Sequence, residues 1–231
     1  MNTLARLFAN TMQLFYPHVC CGCGSDALKM NEQICLRCKI SLPHTHFEKF
    51  ENNPVERIFT GRAKVDAAHS EFYFAKHKIV QLLLHELKYK GNQAIGEYLG
   101  EMMGHNLAAS KRFKADVLVP LPLFAKKEFS RGYNQANVIC RGMAKAMQLP
   151  VIINNVVRER STETQTKKHR TERWENVAES FKVKNPAELM GKHVLLVDDV
   201  ITTGATLDAC CQTLAPIAGK ISIATLAFAT K

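Results

Sequence analysis

The sequence holds a single tryptophan in 231 residues, and aromatic side chains make up only 8% of it. Base-stacking platforms need aromatics interleaved with positive charge, so composition lends little support to a nucleic-acid surface. Acidic residues are scarce beside basic ones, 21 against 31, which leaves a net charge of +10. That balance favours phosphates, nucleic acid or anionic surfaces as partners and says nothing about the fold. Long apolar runs are missing as well. No stretch reaches the roughly 20 apolar residues that cross a bilayer, so no transmembrane segment is expected. The opening "MNTLARLFANTMQLFYP" puts Leu4, Leu7, Phe8, Met12 and Phe15 on one helical face, but polar residues interrupt it and no A-x-A cleavage site follows. It does not read as an export signal; it reads as a helix packed on the protein's own body ahead of the alternative of an amphipathic membrane anchor, and the chain as cytoplasmic.

Cysteine is plentiful in one place. Five of the eight fall in "CCGCGSDALKMNEQICLRC", where Cys20 and Cys23 form one C-x-x-C and Cys35 and Cys38 a second, 11 residues on. A two-residue spacer turns both sulfurs of a pair onto one tetrahedral ion, and Gly22 and Gly24 ease the tight backbone. Four thiolates suit a structural Zn2+ with no open position for chemistry. So short a segment buries little apolar surface, so the ion would supply most of its folding energy. Disulfides would need an oxidising compartment, and the paired knuckle spacing favours zinc over an iron–sulfur cluster. Cys21 falls out of register, and His18, His44 and His46 read as flanking side chains.

We divide the chain into an N-terminal helix and zinc module (1–45), a connector (46–65) and a main domain (66–231). "DVLVPLP", "VIINNVV", "HVLLVDD" and "ISIATLAFA" are continuous β-branched and leucine runs, which predict strands buried on both faces. Helical stretches alternate with them, including "KIVQLLLHELKYKG", "NQANVICRGMAKAMQL" and "GATLDACCQTLAPIA". The fold class is α/β, a doubly wound, mostly parallel sheet. Two segments break the alternation: "LPLFAKKEFSRGYNQ", and the nearly all-polar "RERSTETQTKKHRTERWENV", whose length suits a functional lid.

The chemistry centres on "LLVDDVITTGAT". In doubly wound sheets, ligands sit outside the carboxyl ends of strands. The strand 193–197 is expected to end at Asp198, leaving Asp198 and Asp199 at that edge. The loop then enters a helix whose first N–H groups lack partners and favour an anion. Thr202, Thr203 and Thr206 add hydroxyls, and Gly204 and Ala205 let the backbone approach closely. Neither G-x-x-x-x-G-K-[ST] nor G-x-G-x-x-G is present, so triphosphate and dinucleotide sites are unsupported. Ionised carboxylates only accept hydrogen bonds; they suit ribose hydroxyls while the loop takes a 5′-phosphate, with Mg2+ easing the negative charge. A phospho-acceptor receiver domain would place its acids after the first strand, whereas here one strand remains.

These residues resemble the phosphoribosyl pyrophosphate (PRPP) motif of type I phosphoribosyltransferases. With the paired C-x-x-C module, "LKYKG", "PLP" followed by "RGYNQA", and "RSTETQTKKHRTERWENV", the chain is similar to the ComF/GntX family across residues 20–206. The resemblance implies that Asp198 and Asp199 bind ribose and residues 202–206 the 5′-phosphate. It further implies a pyrophosphate loop after "VLVPLP" with Arg131 as charge partner, and a hood over 158–176. Arg160, Thr162, Gln165, Arg170, Arg173 and Asn176 fit the family's hood pattern, although Lys167, Lys168 and His169 stand where many members carry a leucine. Arg131, Arg160 and Arg170 are the catalytic candidates for phosphoribosyl transfer. The resemblance also implies a role in DNA uptake, with single-stranded DNA and the competence helicase machinery as partners.

Overall fold

The computed structural model describes residues 18–26, 28–29, 32–75, 78–158 and 181–229. The amphipathic opening, Arg160, Arg170, Trp174 and the rest of the expected hood from 159 onward lie outside the described residues. In chain order the elements are α1 (Leu36–Ile40), a 3-10 turn (Phe47–Lys49), α2 (Pro54–Phe59), β1 (Ala67–Phe74) and α3 (Ile79–Tyr89). Then come α4 (Gln93–Ala109), β2 (Val117–Pro120), α5 (Ala125–Arg131), α6 (Gln135–Met147) and β3 (Val156–Arg158). The chain closes with β4 (Phe181–Val183), a 3-10 turn (Pro186–Glu188), β5 (His193–Ile201), α7 (Ala205–Leu214) and β6 (Lys220–Ala229).

The main sheet runs β1-β6-β5-β2 with every pairing parallel. Helices cover both faces, as continuous apolar strands require. Along β5 the side chains alternate: Leu195 and Val197 join the core with α3, α4 and α6, and Val194 and Leu196 join the one with α2 and α7. Cys20, Ile34, Cys35, Cys38 and Leu42 belong to the first of these cores, so the cysteine segment shares its packing with Leu83 and Leu84 of α3.

Three sequence expectations change. The run 151–157 is not one strand. Its start lies beside β2, with Ile152 N–H donating to Leu118 O at 2.9 Å, and its end forms β3, antiparallel to β4. Asn154, with φ of 62°, breaks the run, and Asn155 is tied to Asn185 through its side chain. The first alternation-breaker, "LPLFAKKEFSRGYNQ", contains α5. The stretch 46–65 contains α2, started by Asn53: its Oδ1 accepts from Val55 N–H and Glu56 N–H, while Glu56 accepts from Asn53 N–H. Downstream of it, the buried Glu71 on β1 binds His44, His69 and Asn106. Burial would raise its carboxyl, but the two histidines outweigh that and hold it down at about 2.

Candidate functional site

β5 does not stop at Asp198. Its ladder with β6 continues through Asp198–Thr225 to Ile201–Phe228. The two aspartates therefore fall within the last turns of the pleat, where successive residues point to opposite faces. Asp199 turns toward α3, where its Oδ2 meets Lys88 Nζ at 2.9 Å. Asp198 accepts a hydrogen bond from Asp199 N–H at 2.8 Å and lies in the field of Arg158 from β3. Both acids keep a half-buried opening to solvent.

After β5, Thr202 and Thr203 are exposed and Gly204 turns the chain into α7 with φ of 71°. Among the described residues the N-cap Gly204 offers no side chain to cap α7, and its leading N–H groups meet only a 3.5 Å approach of Ala205 N–H to Thr203 Oγ1. A side chain at Gly204 would put its Cβ 2.5 Å from Ile58 on α2. Arg62, just after α2, straps the loop: it donates to Thr203 O at 3.0 Å and meets the buried Asp208 of α7 at 3.2 Å. The result is a braced turn beside the acids, leading into a helix N-terminus of the kind that favours an anion. Thr206 lies in its first turn, half-buried.

The cations come from elsewhere in the chain. Arg158 stacks over Phe124 at 3.5 Å, and burial lowers its pKa while Asp198 pulls the other way. Its Nε has no hydrogen-bond partner among the described residues. Arg131 closes α5, donating to Gln135 at 2.6 Å and lying over Tyr89 at 5.6 Å. With Lys88, Lys127 and Ser130 it lines a cleft of about 300 Å3 in which no carboxylate takes part among the described residues. Lys88 thus links the acid of β5 to a basic recess. The sequence marked "LKYKG" but gave Lys88 no partner, since a cation near a helix C-terminus is explained by the dipole alone. Arg62 and Arg158 carried no local signal.

Burial, then the Asp199 charge, pushes the Asp198 carboxyl up to about 7. Such a group holds its proton in the folded protein where the unfolded chain has lost it. The stability this confers is complete below about pH 4 and is lost as pH rises through 7. Asp198→Asn should therefore stabilise the fold at pH 8 by about 1–2 kcal/mol and be near neutral at pH 4–5. The full linkage value would be about 4 kcal/mol, but the amide also removes negative charge from beside Arg158 and Lys88. Urea melts at the two pH values measure the difference, and an equal effect at both would refute the account.

Away from this edge, the Sγ atoms of Cys20, Cys23, Cys35 and Cys38 lie within 4.8 Å of one another. Cys23 and Cys35 sulfurs are 3.7 Å apart, close to the roughly 3.8 Å between tetrahedral ligands 2.3 Å from an ion. A Cβ on Gly22 would sit 2.9 Å from Cys38 Sγ, so the knuckle closes tightly on the sulfurs. Burial raises the Cys20 thiol, but N–H donation from Cys35, Cys23 and Gly22 outweighs it and lowers it to about 6. The residues present fit a thiolate-held metal ion. Cys21 stands apart and accepts from Asn92 Nδ2 at 3.3 Å.

The phosphoribosyl transferase domain family matches residues 124–231, which include β5, the threonine–glycine turn and α7. The DNA utilization protein YhgH of Escherichia coli O157:H7 is 24% identical over 202 residues, 84% of this chain and 83% of that protein. Competence protein ComFC of Bacillus subtilis (strain 168) is 28% identical over 190 residues, 82% of this chain and 74% of the relative. The chain thus resembles ComF-type competence proteins over most of its length, with a phosphoribosyl transferase domain match in its C-terminal part. Glutamine phosphoribosylpyrophosphate (PRPP) amidotransferase from B. subtilis, solved with ADP and GMP, aligns with 62% of this chain at 17% identity and a TM-score of 0.43; the alignment spans 30% of that protein. Lys88 and Arg62 both lie upstream of the matched domain. No helix among the described residues is long and apolar enough to cross a membrane.

Proposed function

We propose that this chain is a ComF-type protein that binds PRPP, or another ribose 5-phosphate, and serves DNA uptake or the use of nucleotides released from DNA. One observation carries the reading: Asp198 and Asp199 stand beside the side-chain-uncapped first turn of α7, with the basic recess of Lys88, Lys127 and Arg131 alongside. The carboxylates would accept the ribose hydroxyls, while α7 and Thr202, Thr203 and Thr206 would take the 5′-phosphate. The recess would take the pyrophosphate. Mg2+, when bound, would neutralise charge on that leaving group, with Asp198 and Asp199 as the nearby carboxylates able to share it. Phosphoribosyl transfer needs positioning, leaving-group neutralisation and exclusion of water. Arg131 serves the second need; Arg160 and Arg170, on the hood, would serve the last two.

Cys20, Cys23, Cys35 and Cys38 would hold a structural Zn2+, which a reducing, cytoplasmic setting would preserve. The names of the relatives, a DNA utilization protein and a competence protein, support the DNA connection. Single-stranded DNA and the competence helicase machinery are the partners this implies. Calorimetric titration with PRPP and Mg2+ should give one site per chain, and absence of heat would end the proposal. Pyrophosphate release in the presence of bases, nucleosides or DNA would make the protein a transferase. Binding without release would make it a PRPP-responsive binding protein.

A further inference from the structure

The inference rests on the sugar-phosphate reading above and concerns how the site chooses among ribose phosphates. Lys88 lies in the last turn of α3, upstream of the matched domain. Its ammonium is 2.9 Å from Asp199 Oδ2, and the two side chains are only 18% and 13% exposed. A carboxylate held this closely is a poorer acceptor for a sugar hydroxyl, because its charge is already spent on a shielded partner. The same lysine forms one wall of the recess with Lys127, Ser130 and Arg131. Its flexible four-carbon stem allows the ammonium to serve either side. Another cation at this edge, Arg62, is fixed between Thr203 and Asp208.

We propose that Lys88 is a specificity-determining switch: it neutralises Asp199 in the empty site and transfers to the 1-pyrophosphate of an incoming ligand, freeing Asp199 for the ribose. A ligand without a pyrophosphate must break the ion pair and leave a half-buried ammonium uncompensated, which is costly. A ligand with one exchanges one ion pair for another. The site therefore rejects ribose 5-phosphate and accepts its 1-pyrophosphate, although both fill the acid pair and the phosphate cup equally.

The test is calorimetric titration of the full chain with ribose 5-phosphate and with PRPP, comparing wild type, Lys88→Met and Lys88→Gln. Two variants are used so that a folding defect in one does not decide the matter, and each is checked by its melting curve. The expected result is a crossing: PRPP binds about tenfold to hundredfold more weakly, the loss of one charged hydrogen bond, while ribose 5-phosphate binds several-fold more tightly. If wild type binds PRPP and the variants weaken both ligands alike, or neither, the switch is overturned and the sugar-phosphate reading stands. If wild type binds neither ligand, the reading falls and the switch with it.

Discussion

Replacing Asp198 and Asp199 together by asparagine should abolish measurable PRPP binding. The amide keeps the shape of each side chain but removes the charge that makes it a strong acceptor. Hydrogen bonds to charged groups contribute about 1.5–3 kcal/mol each. Two of them amount to about 3–6 kcal/mol, a loss of roughly a hundredfold to ten-thousandfold. The cup formed by Gly204 and the first turn of α7 is untouched, so weak binding of inorganic phosphate should survive or improve as nearby negative charge disappears. That contrast separates loss of a ribose contact from loss of the fold. The single variants should differ, because Asp199 is paired with Lys88 and Asp198 is the crowded, elevated member. Calorimetry with PRPP and with phosphate reads both effects. Unchanged PRPP affinity in the double variant would remove the ribose role of the acids.

Stripping the metal, or changing Cys35 and Cys38 to serine, should have the largest effect on stability. Apparent binding free energies for structural zinc run to about 10–16 kcal/mol, more than the whole stability of many domains. The cysteine segment does not stand alone here. Cys20, Ile34, Cys35, Cys38 and Leu42 pack into one core with Leu83 and Leu84 of α3. Loss of the ion should therefore spread to α3 and, through Lys88, to the ligand edge. We expect one zinc per chain by elemental analysis, and a lower, broader melting transition after chelation. A chelated protein with an unchanged melt would show that the sulfurs hold their arrangement without an ion.

The parallel sheet was legible because its strands are uninterrupted apolar runs of the right length, and the turn between β5 and α7 because threonines and a glycine follow two acids. Other parts were hidden for definite reasons. α2 is six residues long, too short to show a period, and its real signature was Asn53, Pro54 and Glu56, an N-cap with a proline start and a reciprocal carboxylate. α5 has no buried residue, so it has no apolar stripe to detect. The opposite orientation of Asp198 and Asp199 was implicit in the period of two along a strand, yet the expectation of an early strand end concealed it. Lys88, Arg62 and Arg158 acquire their roles only when distant segments meet, and no local pattern encodes such a meeting.

β1 pairs with β6 along most of its length, and Arg62 grips the turn before α7, although both precede the matched residues 124–231. The stretch that heredity marks as a domain is thus smaller than the stretch that folds as one. A fragment cut at that border would leave the flank of β6 bare and open to pairing with neighbouring molecules, and would let the turn drift. The ancestry of the phosphoribosyl transferase-like half and the physical integrity of the body follow different borders, and any dissection of the protein must respect the second.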